Sequence, residues 1–108
     1  MMWSIAKTPE FDKWFRRLKD VRAKQRVHVL IRTAGLLGCF PDSKPVGESV
    51  YEARLNTGPG YRLYYVLGNE AVLLLLIGGD KSSQKRDIAK ARQLNKRYEE
   101  WRPHEPEE

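Results

Sequence analysis

The spacing of apolar residues changes period several times along the chain, and each change predicts an element. Trp3 and Ile5 alternate with Ser4 and Ala6, the period of a short strand. Thr8 then supplies a hydroxyl suited to capping a helix, Pro9 fits the first helical position and Glu10 suits the positive helix end. Phe11, Trp14, Phe15 and Leu18 follow at i, i+3, i+4 and i+7, which makes one apolar helical face. After a break near Asp20, Val27, Leu30, Ile31, Ala34 and Leu37 repeat that spacing until Gly35 and Gly38 weaken it, so the two segments predict a helical hairpin.

Residues 39–49, with Pro41, Pro45 and Gly47, read as a loop. Beyond it Tyr51, Ala53 and Leu55 alternate with Glu52 and Arg54, and Tyr61, Leu63, Tyr65 and Leu67 alternate with Arg62 and Tyr64. Asn56-Thr57-Gly58-Pro59-Gly60 between them is turn chemistry, so the pair predicts a β-hairpin. Residues 71–77 are apolar at every position, as expected of a strand covered on both faces, and are placed as the central strand. Gly78-Gly79-Asp80-Lys81-Ser82-Ser83 breaks that strand and caps a final helix, with Ile88, Ala91, Leu94, Tyr98 and Trp101 along one side. The order β-α-α-β-β-β-α predicts an α+β domain, its helical hairpin and C-terminal helix packed on a small, mostly antiparallel sheet. One domain is expected over residues 1–101, and 102–108, with two prolines and no core residue, read as a flexible acidic tail.

Composition narrows the class. A chain of 108 residues that is 41% hydrophobic can build one core but not two domains. The longest apolar run is far shorter than the roughly 20 residues that cross a bilayer, and the first residues lack a signal peptide's apolar stretch, so a cytoplasmic protein without a membrane partner is expected. A single cysteine, Cys39, excludes an internal disulfide, and with only His28 and His104 beside it no zinc ligand set is visible; neither metal nor cofactor is expected. His28, adjacent to Val27 and Val29, reads as an incidental or packing residue.

Twenty Lys and Arg stand against 14 Asp and Glu, and five of those acids fall in the last ten residues. The first 98 residues therefore carry 19 basic and nine acidic groups, a balance that favours a polyanionic partner. Arg16, Arg17, Arg22, Lys24 and Arg26 on the helical hairpin, with Lys85, Lys90 and Lys96 on the final helix, are the candidate contacts to RNA or a ribosome. Solvated helix faces are the plainer account of the same residues.

Register yields the sharpest local inference. The apolar faces of the hairpin coincide only if Leu55 faces Tyr61, Ala53 faces Leu63 and Tyr51 faces Tyr65, which sets Arg54 opposite Arg62. Arg62 is thereby expected on the face turned away from the core. Like charges across a sheet repel unless an acid or a bound anion lies between them. Glu52, on the same face, answers this as an internal ion pair; alternatively Arg54, Arg62, Tyr64 and Lys81 converge on a basic patch where guanidinium groups bind phosphate and the Tyr64 ring stacks on an unpaired base. Such a patch could stabilise the charge that develops when an RNA 2′-hydroxyl attacks its neighbouring phosphate, without a metal. The available proton carriers, Tyr64, Tyr65, Lys81, Asp80 and Glu52, have ordinary pKa values far from 7.

Three stretches, Val50-Tyr51-Glu52-Ala53-Arg54-Leu55, Gly58-Pro59-Gly60-Tyr61-Arg62-Leu63-Tyr64-Tyr65 and Leu74 to Lys85 with Asp87, Ile88 and Ala91, closely resemble the phage-derived addiction-module killer proteins, a HigB-like branch of the RelE/ParE toxin superfamily. The resemblance covers roughly residues 2–98. It implies a toxin that cleaves mRNA in the ribosomal A site and is neutralised by a helix-turn-helix antitoxin encoded nearby, with Arg62 on the scissile phosphate and Arg54 and Lys81 as accompanying basic residues. Two positions depart from the pattern: the C-terminal Tyr or His of many relatives has no clear counterpart after Lys81, and Glu52 stands where some relatives carry a basic residue. The superfamily also offers a different activity, the poisoning of DNA gyrase by ParE-type members.

Overall fold

A computed structural model describes residues 2–98. Its elements are β1 (Ser4–Lys7), α1 (Pro9–Arg17), α2 (Val21–Leu37), β2 (Ser43–Pro45), β3 (Tyr51–Arg54), β4 (Arg62–Leu67), β5 (Val72–Gly79), a 3-10 turn (Lys81–Ser83) and α3 (Gln84–Arg97). The five strands form one sheet in the order β1-β5-β4-β3-β2, with β1 parallel to β5 and every other pair antiparallel.

The starts of the first and last helices are set by the residues expected to set them, and Asp20, read only as a break, caps the helix between. The Thr8 hydroxyl accepts from the Phe11 amide at 2.9 Å and donates to the Leu76 carbonyl at 2.7 Å, which also ties the start of α1 to β5. Asp20 caps α2 by accepting from the Ala23 amide, and Gly38, with φ 79°, ends it in the left-handed conformation. Asp80 and Ser83 form a reciprocal capping box around the 3-10 turn ahead of α3.

Helices cover both faces of the sheet. On one, Phe11, Val27, Leu30 and Ala34 from α1 and α2 pack on Ala53, Leu63, Tyr65, Leu73 and Leu75; on the other, Ala91 and Leu94 of α3 pack on Tyr64, Val66, Leu74 and Leu76. This corrects the expected exposure of Arg62. Its face of the hairpin lies partly beneath α3, and Arg62 is buried. The alternation of polar and apolar residues in β4 suggested an open face, but Tyr64 closes over apolar neighbours and keeps only its hydroxyl for a polar partner.

Three further expectations change. The loop at 39–49 contains the edge strand β2, whose Pro45 is tolerated because an edge position does not require every amide. The middle position of the sheet belongs to β4, not to β5, although β5 is flanked by strands and packed on both faces as its sequence suggested. β5 also continues through Gly78 and Gly79 instead of ending before them. A Cβ at Gly78 would overlap the Trp14 ring, and one at Gly79 would overlap the Asp87 carboxylate, so these glycines admit close neighbours from α1 and α3. The expected contribution of Trp101 and the tail at 102–108 lie outside the described residues.

Gly79→Ala is expected to lose about 2 kcal/mol or more of stability, because the added methyl must displace Asp87 from its Ser83 hydrogen bond or push α3 off the sheet. A shift of the urea midpoint measures this; a midpoint equal to wild type would contradict the close approach.

Candidate functional site

Arg54 and Arg62 stand opposite each other across β3 and β4, as the register required. Their side chains then diverge. Arg54 Nη2 donates to Asp42 Oδ1 at 3.1 Å with half of its side chain exposed. Arg62 turns inward, donating from Nη1 to the Gly60 carbonyl at 2.5 Å and placing Nε 3.8 Å from Glu52 Oε1. Glu52 is fully buried; its Oε2 accepts from the Tyr64 hydroxyl and from Gln84 Nε2, each at 2.9 Å. Lys44 Nζ lies 3.8 Å from the same Oε1 that faces Arg62. Each arginine thus faces a carboxylate of the chain, which eases the like-charge contact.

Lys81 joins this group through the hairpin turn. Its amide donates to the Pro59 carbonyl, and a Cβ on Gly60 would lie 3.0 Å from Arg62 Nη1 and 3.3 Å from Lys81 Cβ. Gly60, with φ 78°, lets the turn settle between the two cations. The adjacent Asp80 carboxyl is held below the usual carboxylate range, first by the Ser82 hydroxyl that donates to it and in part by the Arg62 charge.

Of the four predicted catalytic residues, Arg62 and Lys81 therefore meet at Gly60, Arg54 lies at the rim and Tyr64 is enclosed. The Tyr64 reading is corrected: a ring with no exposed surface is not available to stack on a base, and the residue holds Glu52 instead. Burial, followed by the Glu52 hydrogen bond and charge, pushes the Tyr64 phenol well above its ordinary pKa, and burial raises that of Tyr65. Both tyrosines and Asp80 have moved away from neutrality. Sequence reasoning missed Lys44, Asp42 and Gln84. The first two lie in the segment read as a loop, and nothing local marks Gln84, which reaches Glu52 from 32 positions away.

No protein-family model matches the chain. An uncharacterized protein of Haemophilus influenzae is 39% identical over 94 residues, spanning 87% of this chain and 94% of its own, and the two belong to one family. Among solved structures, a double arginine-to-alanine mutant of the Escherichia coli toxin RelE in the free state matches 86% of this chain and 96% of its own with a TM-score of 0.70 at 17% identity. The intact E. coli RelBE toxin-antitoxin complex matches at 0.62 over 72% of this chain and 95% of its own, with 19% identity. The Mycobacterium tuberculosis RelBE2 complex matches at 0.61 over 75% and 100%, with 16% identity. The chain has the RelE toxin fold.

On that fold the other predicted cations divide between two faces. Arg16, Arg17, Arg22 and Arg26 are exposed on the α1–α2 side, with Lys24 Nζ 5.4 Å from the centre of the Phe15 ring. Lys85, Lys90 and Lys96 belong to α3 on the opposite side, where Lys96 pairs with Glu48 at 3.4 Å. The structure does not bring the two sets together. His28 is exposed and meets the Phe15 ring edge-on, 5.2 Å between centroids. Among the described residues no group of three or more His, Cys, Asp and Glu side chains is placed to hold a metal ion.

Tyr64→Phe deprives Glu52 of one of its two hydrogen-bond donors to Oε2 and is expected to lower stability at neutral pH by about 1–3 kcal/mol. A raised phenol pKa contributes stability that is complete below the unfolded value of 10.0 and is lost as pH climbs toward the folded value. The deficit of Tyr64→Phe should therefore narrow above that pH, because only the wild type carries the phenolic proton. Urea unfolding at neutral and alkaline pH provides the check.

Proposed function

We propose that this protein is the toxin of a type II toxin-antitoxin module, of the HigB-like branch, and that it cleaves messenger RNA bound to the ribosome in the cytoplasm. The observation that carries the reading is the meeting of Arg62 and Lys81 at Gly60, with Arg54 directly across the sheet. Support comes from the fold, since the solved proteins that share it are named as toxins and toxin-antitoxin complexes. The partner is then a helix-turn-helix antitoxin encoded nearby.

The chemistry follows from the residues. A phosphodiester entering beside Gly60 meets a guanidinium already fixed by Glu52 and the turn, together with the exposed Lys81 ammonium. Donors fixed before the reaction stabilise the charge that grows on phosphate oxygens as a 2′-hydroxyl attacks, because they need no reorganisation. The surface pair with Asp42 contributes little stability, so Arg54 can exchange it for phosphate at small cost. Proton transfer draws little from the chain, since Tyr64, Tyr65 and Asp80 are all shifted away from neutrality. Ordering of the RNA by the ribosome, and groups that it supplies, complete the reaction.

Purified protein should consequently leave naked RNA largely intact while producing in-frame cuts in translated messages, as mapped by primer extension of cellular mRNA. Accumulated DNA breaks without mRNA cuts would replace this reading with gyrase poisoning.

Lys81→Ala, an exposed change, should reduce cleavage by about two to three orders of magnitude with an unchanged melting temperature. Arg62→Ala should in addition destabilise the fold by about 3 kcal/mol, because it strips a buried carboxylate of its closest arginine. Arg62→Lys should restore folding more than activity, since it keeps the charge but loses the planar fork. Full toxicity of a folded Lys81→Ala protein would oppose the assignment.

A further inference from the structure

Strand order places one cation on each of four successive segments: Lys81 directly after β5, Arg62 on β4, Arg54 on β3 and Lys44 on β2. Register puts the last three on one face, because Lys44 pairs with Glu52, and Glu52 alternates with Arg54, which pairs with Arg62. Three strand spacings of about 4.8 Å make this line roughly 14 Å long, more than one phosphate requires. Lys44 is the residue for which nothing local accounts. Its Nζ is 3.8 Å from Glu52 Oε1, yet 59% of the side chain is exposed. Glu52 already holds two neutral donors and faces Arg62, so Lys44 adds a second positive charge to a single carboxylate.

We propose that Lys44 is an RNA-backbone contact at the outer end of this line, so that the substrate strand lies across the β-strands from the end of β5 to the edge strand β2. The proposal rests on the RNA substrate inferred above and adds its path. Glu52 anchors the inner side of the line through Arg62 and leaves the outer side of the Lys44 ammonium open to a phosphate. Lys44 is a binding residue here and takes no part in proton transfer. Two purely structural roles compete with this one: a counterion for buried Glu52, and a charge that guards an exposed sheet edge.

The test uses the full chain and a fluorescein-labelled single-stranded RNA of about a dozen nucleotides, with the dissociation constant measured across a salt series from about 50 to 200 mM. Lys44→Ala should weaken binding several-fold at the lowest salt and flatten the slope of log affinity against log salt by about 0.7, the value for one lost contact to a single strand. Lys44→Arg should restore both. An unchanged slope in Lys44→Ala, with or without a lower melting temperature, would overturn the proposal and leave Lys44 a structural residue. Lys81→Ala in the same series separates this failure from that of the wider reading. If Lys81→Ala flattens the slope and Lys44→Ala does not, only the path is wrong. If wild-type binding shows no salt dependence, the RNA substrate falls and the path with it.

Discussion

Glu52 has no exposed surface, and a carboxylate taken out of water at that depth must be met by donors and positive charge or it opposes folding. Its partners come from three elements besides its own strand β3: Lys44 on β2, Tyr64 and Arg62 on β4, and Gln84 at the start of α3. One acid thus fixes the edge strand, the hairpin and the final helix relative to one another at a single end of the sheet. The two Oε2 bonds come from neutral donors at 2.9 Å, whereas both cations stand 3.8 Å from Oε1. The negative charge is held in place by hydrogen bonds and balanced by two cations, of which Lys44 keeps its reach toward the surface.

The behaviour of the two arginines follows from that arrangement. Facing like charges would weaken the hairpin, but Arg62 is drawn inward by Glu52 and Arg54 outward by Asp42. The outcome is one guanidinium fixed in position and another half in water, beside a third cation, Lys81, delivered by the turn at Pro59 and Gly60. A phosphate-binding group gains from being fixed and a guiding charge gains from being mobile. The cluster contains one cation of each kind, Arg62 held inward and Arg54 half in water.

Behind the site, the sheet depends on close approaches from both sides. Gly78 admits the Trp14 ring from α1 and Gly79 admits Asp87 from α3, so the end of β5 that leads to Lys81 is clamped between layers. The position of Lys81 is set by this packing and by the capping box that follows it. The basic surfaces of α1–α2 and α3, in contrast, point to opposite sides of the molecule, and a single nucleic-acid strand does not touch both unless it wraps around the protein.

Periodicity and turn chemistry in the chain were enough to determine both helical segments of the hairpin, the β3–β4 pairing and its register, the cap at Thr8, and the confrontation of Arg54 with Arg62. All of these are decided within about ten residues, where side-chain period and local hydrogen bonds dominate. The placement of Arg62 and Lys81 beside turns was legible for the same reason. Only the tertiary structure decided what lay over the second face of the sheet. Tyr64 and Arg62 alternate with apolar neighbours as a solvated face would, but the docking of α3, through contacts tens of residues distant, buries Tyr64, and Arg62 is buried beside Glu52 and the turn. The edge strand β2 was hidden because its three residues carry no period of their own and become a strand by pairing with β3. Lys44, Asp42 and Gln84 were hidden with it: a buried charge selects its partners by proximity in space, and sequence spacing does not encode that proximity.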